Sequence, residues 1–229
     1  MPPAAAAPKN TRHKTSDAAV DAALGALQTY DWGSSRAALL PLDEAVAAAH
    51  GSRATREALE RRLLDALRRA TSVPAREYLC SQLALIGGKR SVAPLAERLA
   101  APQLATAARH ALEAIPDSSA VRALRRALPR LSGREKIGVI TSLGVKRDAG
   151  SISALTKLLS EAEPQIADAA AWALGEIATP AAARALVRGL ARAPAERRAH
   201  ASAAALTCAE RLAAAGHRGE VEALCRWLG

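Results

Sequence analysis

Apolar residues through most of the chain recur at three- and four-residue spacing, as in Leu124–Leu128 and Leu155–Leu158–Leu159. That period puts them on one face of an α-helix, whereas a half-buried strand would alternate. The pattern also repeats on a longer scale. Four segments align: YLCSQLALIGGKRSVAPLAERLA from Tyr78, ARHALEAIPDSSAVRALRRALP from Ala108, GVITSLGVKRDAGSISALTKLLS from Gly138 and AAAWALGEIATPAAARALVRGLA from Ala169. In their first halves Leu83, Leu112, Leu143 and Leu174 correspond, at separations of 29, 31 and 31 residues. In their second halves Leu95, Leu124, Leu155 and Leu186 correspond with the same separations. Two anchors drifting together mark a helix–turn–helix unit. One such unit cannot bury both its faces, and stacked units can. A fifth unit follows, anchored on Leu206 and Leu224 around a longer inter-helix segment, CAERLAAAGHRGE.

The turns carry matching punctuation. Asp117 and Asp148 stand where helix N-caps are needed, and Thr179 before Pro180 reads as a cap followed by proline at the first helical position. Gly87 reads as a helix end, and Gly175 as a place where helices approach closely. The leading segment also predicts helices: AAVDAALGALQTY, SRAALLPLDEAVAAAH and ATREALERRLLDALRRA. The expected organisation is a tail over residues 1–16 and one solenoid over 17–229. Within it, residues 17–73 form an atypical helical cap and 74–229 about five repeats. Tyr30 and Trp32 are expected to plug the open end, because a terminal repeat has one face without a neighbour.

Composition supports an all-α chain. Alanine and leucine dominate, Phe is absent, and three Trp and two Tyr are the whole aromatic content. Small helix formers favour short helices packed closely. Cys80, Cys208 and Cys225 form no CxxC and lie in helical patterns, where a free Cys is usually a small buried residue. No run of 18 apolar residues occurs, so no membrane span is expected. The first 16 residues lack the apolar stretch of a signal peptide, and a cytoplasmic setting is the expectation.

On these residues the chain resembles a known family. WALGEIATPAAARALVRGLA resembles the HEAT-like repeat of phycobilin-lyase-type and bacterial scaffold proteins, and the likeness extends over about residues 74–229. TYDWGSSRAALLPLDEAVAAAHGS is similar to the leading segment of HEAT-repeat proteins of planctomycetes and their relatives. The resemblance implies a right-handed α-solenoid whose second helices line the concave face.

Sites for chemistry are sparse. His13, His50, His110, His200 and His217 are isolated, no HExxH occurs, and Gly87-Gly88-Lys89 is a two-glycine turn rather than a phosphate loop. No nucleophile motif such as GxSxG is present. Neither an enzyme, a cofactor, a metal nor a small-molecule substrate is therefore indicated. One enzymatic alternative comes from the HEAT-like DNA glycosylases, which need an aromatic cleft with a carboxylate; Trp172 and Asp168 stand one turn apart. Trp172 also falls within the repeat pattern, at the position of Ser81, His110 and Thr141, so a structural role is expected.

Charge is more informative. The net +10 comes from 32 basic and 22 acidic residues, and residues 81–160 hold 13 basic against 5 acidic. A genome rich in G and C would by itself enrich Arg and Ala. The positions, however, are ordered. Arg122, Arg126 and Arg130 correspond to Arg184, Arg188 and Arg192 two units later. Each lies two residues from a core leucine position, about 200° round the helix, and so should face solvent. The central position gives a ladder of Glu97, Arg126, Lys157, Arg188 and Arg226. A row of cations across a concave face suits an acidic protein partner, with a nucleic-acid backbone as the alternative. The predicted function is a non-enzymatic scaffold that binds an acidic partner through these residues.

Overall fold

A computed structural model describes residues 16–191 and 195–228. Among them stand thirteen α-helices and no strand: α1 (Asp17–Ala26), α2 (Leu40–Ala49), α3 (Arg53–Arg69), α4 (Val73–Ile86), α5 (Lys89–Ala96), α6 (Ala105–Ala114), α7 (Ser118–Ala127), α8 (Gly133–Val145), α9 (Ile152–Leu158), α10 (Pro164–Ile177), α11 (Pro180–Leu190), α12 (Ala195–Ala214) and α13 (Arg218–Leu228). The fold is an all-α solenoid of two layers. First helices α2, α4, α6, α8, α10 and α12 stack in one layer. In the second layer α3 packs on α5 and α5 on α7, while α9 packs on α11 and α11 on α13. Helices α2 and α3 thus continue both layers into the leading segment, with α1 packed on α2.

Both leucine anchors are buried. Leu83, Leu112, Leu143 and Leu174, and Leu95, Leu124, Leu155 and Leu186, are all fully enclosed between the layers. Burying a leucine contributes about 1.5–3 kcal/mol, so these residues hold the two layers together. Local signals start many of the helices. Ser16, Ser52, Ser72 and Thr179 accept hydrogen bonds from the backbone N–H three residues on, and Asp117 from Ser119 N–H, two on. Each such cap stabilises its helix by about 1 kcal/mol. Where one helix was predicted from Ser35, a 3-10 turn (Arg36–Leu39) precedes α2, because Pro41 in the first turn of α2 supplies no N–H.

The fifth unit differs from its expected register. Leu206 is 53% exposed, and Ala205 is fully buried in its stead. A slip of one residue turns a side chain about 100° round the helix, enough to move it from core to solvent. The longer inter-helix segment is also no loop: α12 runs on to Ala214, so the extra residues lengthen the first helix. The end cap differs too. Tyr30 packs partly buried against the core, but Trp32 is 76% exposed and plugs nothing. It sits in a turn that leaves its ring beyond the helices, with its N–H held by Asp31 Oδ1 at 2.8 Å. The contact between α2 and α4 is made instead by Asp43, which accepts from Tyr78 Oη and Gln82 Nε2, each at 2.8 Å. Burial, and then the Asp43 carboxylate, raise the Tyr78 phenol above its ordinary value.

Close approach of first helices depends on small residues. A Cβ on Gly175 would lie 2.6 Å from the carbonyl oxygen of Ala204 on α12. Gly175→Ala should force α10 and α12 apart and lower stability by about 1–3 kcal/mol. The control is Gly25→Ala in α1, where a Cβ meets nothing within 4 Å. It should be neutral or stabilise by up to about 1 kcal/mol, both changes being read from denaturant unfolding curves.

Candidate partner-binding face

The second helices present their polar residues away from the core leucines. Glu97 ends α5, Arg122 and Arg126 lie on α7, Lys157 on α9, Arg184 and Arg188 on α11, and Arg226 on α13. All of these are exposed, and so is Arg130. The spacing of four does not keep Arg130 on an α-helix, however. Helix α7 ends at Ala127, and Arg130 closes a 3-10 turn (Leu128–Arg130) in which Pro129 lacks the N–H an α-helical continuation would use. Arg192 lies outside the described residues.

Grooves open between neighbouring second helices. One of about 910 Å³ lies between α3 and the start of α5, and one of about 500 Å³ runs between α5 and α7. In the α5–α7 groove Lys89 and Glu97 line one side, Arg122, Arg126 and Arg130 the other, over a floor that includes Val92, Ala96, Ala123 and Ala127. Another, of about 130 Å³, lies between α11 and α13 and is lined by Arg184, Arg188 and Glu220 among others. The cations of these last two grooves are not equally available. Arg184 donates to Glu220 Oε1 at 2.9 Å, and Arg122 donates to Ser118 Oγ at 2.8 Å. Arg126, Arg130, Lys157 and Arg188 enter no ion pair among the described residues.

The α5–α7 groove is held in shape by carboxylates behind it. Glu60 on α3 is 3% exposed, and its Oε1 accepts from Gly88 N–H at 2.7 Å, Ser91 N–H at 3.1 Å and Ser91 Oγ at 2.7 Å. Gly88, the N-cap of α5, has no side chain to do this, so the preceding repeat caps the helix. At the other wall Asp117 accepts from Ser119 Oγ at 2.5 Å and Ser119 N–H at 2.8 Å. Those hydrogen bonds, the side-chain one first, hold its carboxyl below the usual range. Asp148 does not cap through its side chain as expected. It takes a two-pronged contact from Arg125, Nε and Nη2 each at 2.9 Å, and Arg125 lies so flat over Gly150 that a Cβ there would come 2.5 Å from its Cζ.

The other candidates fall elsewhere. Trp172 and Asp168 lie on α10, in the first-helix layer and away from the ladder. Trp172 is 39% exposed, with its ring edge over Gly144. No group of three His, Cys, Asp or Glu stands close enough to hold a metal among the described residues. Among those residues, also, no helix is long and apolar enough to cross a membrane. Cys80 and Cys208 are buried, and burial raises each thiol to about 11. Cys225, expected inside, is exposed, because it directly follows the buried Leu224 on α13 and so faces off the core.

Residues 132–207 match the model of the HEAT repeats family. Over that stretch the chain is HEAT-like. The match covers α8 to α11 and part of α12, and so includes Lys157, Arg184 and Arg188 of the ladder. HEAT repeats commonly serve as protein-interaction scaffolds. No curated protein matches the chain.

Glu60 escapes a reading by local pattern, since its partners stand 28 and 31 residues away. The available signal was Gly88, an N-cap with no acceptor of its own. Glu60→Ala should leave Gly88 N–H and Ser91 Oγ at the start of α5 without their acceptor and cost about 1–3 kcal/mol, while Glu60→Gln, which keeps a neutral oxygen there, should cost less. Thermal unfolding of both variants decides the order. A colourless-to-yellow thiol assay should find Cys225 reactive in the native protein, with Cys80 and Cys208 reacting only on unfolding.

Proposed function

We propose that this HEAT-like solenoid is a non-enzymatic interaction scaffold whose second-helix face binds the acidic surface of a protein partner. The observation that carries the reading is the register of the ladder. Arg126, Lys157, Arg188 and Arg226 occupy equivalent exposed positions in successive units, each two residues beyond a fully buried leucine. Where second helices pack side by side, as α5 on α7, α9 on α11 and α11 on α13, such positions stand about 8–10 Å apart, and an extended acidic surface can meet several at once. Arginine adds two-pronged hydrogen bonding to a carboxylate, which lysine cannot give. By the family resemblance this is the concave face, and concavity would increase the area in contact.

A phosphate backbone would also be attracted to such a row. Two features favour protein. Glu97 opens the ladder, and Glu220 sits in the α11–α13 groove bonded to Arg184, so negative charge interrupts the row where a polyanion would pass. Exposed ion pairs add little to stability, so these arginines are more useful for contacts with a partner than for holding the fold.

Charge reversal tests the reading. In nuclease-treated lysate the wild-type protein should retain acidic proteins, identified by mass spectrometry, and Arg126→Glu with Arg188→Glu should release them. Binding of the wild type to a labelled polyglutamate should weaken as salt rises from low to physiological concentration. If the double variant kept both the partner and its salt dependence, the second-helix face would not be the binding surface. Tight binding to random duplex DNA, falling steeply with salt, would replace the protein partner by nucleic acid.

A further inference from the structure

We infer that the groove between α5 and α7 receives an amphipathic acidic α-helix, laid along α7 with its apolar side on the groove floor. The inference rests on the reading above and specifies the form of the partner. Its basis is the combination of a patterned charged wall and a small-residue floor in one groove of about 500 Å³.

The wall sets the spacing. Arg122 and Arg126 are one α-helical turn apart on α7, and Arg130 follows on the 3-10 turn that prolongs it. The three span about 12 Å, at about 1.5 Å per residue. A helix lying alongside would present acids at the same rise if they recurred at every fourth position, over about two turns. An extended strand advances about 3.3 Å per residue and carries its side chains to alternate faces, so it could not keep acids on the wall and apolar groups on the floor at this step.

The floor sets the rest. Val92 is buried, and Ala96, Ala123 and Ala127 are half-buried, leaving room above short side chains for aliphatic groups of an occupant. An apolar floor contributes nothing to a sugar–phosphate backbone, which needs cations or donors along its track. Glu97 on the opposite wall repels phosphate, and it can accept a Lys or Arg of a peptide helix. Four cations against one carboxylate leave the groove positive overall, the complement of an acidic helix. Helix in groove is an established mode of recognition, read as apolar anchors at three- and four-residue spacing.

The test uses two labelled synthetic peptides of identical composition and the full-length protein. One carries Glu at every fourth position with Leu and Ala on the adjoining face; the other has the same residues shuffled out of helical register. Fluorescence anisotropy should show the patterned peptide binding at least about tenfold more tightly, a difference of about 1.4 kcal/mol. Circular dichroism should show that peptide gaining helix on binding. Ala93→Trp, at an exposed position lining the groove, fills it without altering a charge. It should remove the preference for the patterned peptide and leave the weak, salt-sensitive binding of the shuffled one. Its own unfolding curve should match the wild type.

Equal binding of the two peptides overturns the inference, and so does a preference that survives Ala93→Trp. If both bind equally and both are lost on Arg126→Glu with Arg188→Glu, the acidic-partner reading stands while the helical occupant fails. If neither binds, the groove is not a peptide site.

Discussion

How near the first helices can come to one another governs everything else in this protein. Gly175 faces the backbone of Ala204, and Gly144 lies beneath Ala173 and the edge of Trp172, so successive first helices meet almost backbone to backbone. The alanine-rich composition follows from this contact. Larger side chains would widen the layer, separate the leucine anchors and leave voids that weaken packing. With the first layer fixed, the turns are short and the second helices have little freedom over where they lie. The order of the exposed arginines is thus a property of the stack and not of any one helix.

The repeat was legible because burial imposes it on the sequence. Every leucine of the four aligned units that sets the register is enclosed, and the caps at Asp117 and Thr179 form as their residue types require. What was misread lies where the pattern ceases to be constrained by neighbours on both sides. Leu206 could be aligned with the other anchors only by ignoring Ala205, a smaller residue that is fully buried and follows Ala204, where α12 approaches Gly175. A terminal repeat predicts a plug at Trp32, but a turn held by Asp31 and Ser34 leaves that residue in solvent. Cys225 shows the reverse case, a residue type that is usually buried standing one position from the core leucine.

The binding face shows the same division between what a period encodes and what only three dimensions reveal. Arg125 and Arg126 are neighbours of identical chemistry. One is drawn against Asp148 and Gly150 and fastens α7 to the turn after α8, while the other points to solvent. Composition cannot tell them apart, and the helical period can, since about 100° separates them. The grooves were beyond reach of sequence, because their width depends on how α5 and α7 are splayed and their floor on residues too small to attract notice. Net charge was the least informative quantity, because it does not tell paired cations such as Arg62, held by Asp17 and Asp21, from those left free for a partner.

The carboxylate of Glu60 has a consequence for how the chain comes apart. Repeat arrays ordinarily approximate a row of weakly linked units, each able to fray from its end while its neighbours persist. Here the first turn of α5 is completed by an acid on α3, so α5 cannot keep its start once α3 has melted. Asp43 links α2 to α4 in the same direction. The leading helices and the unit after them are therefore coupled, and fraying from that end strips the start of α5 of its cap as soon as α3 melts.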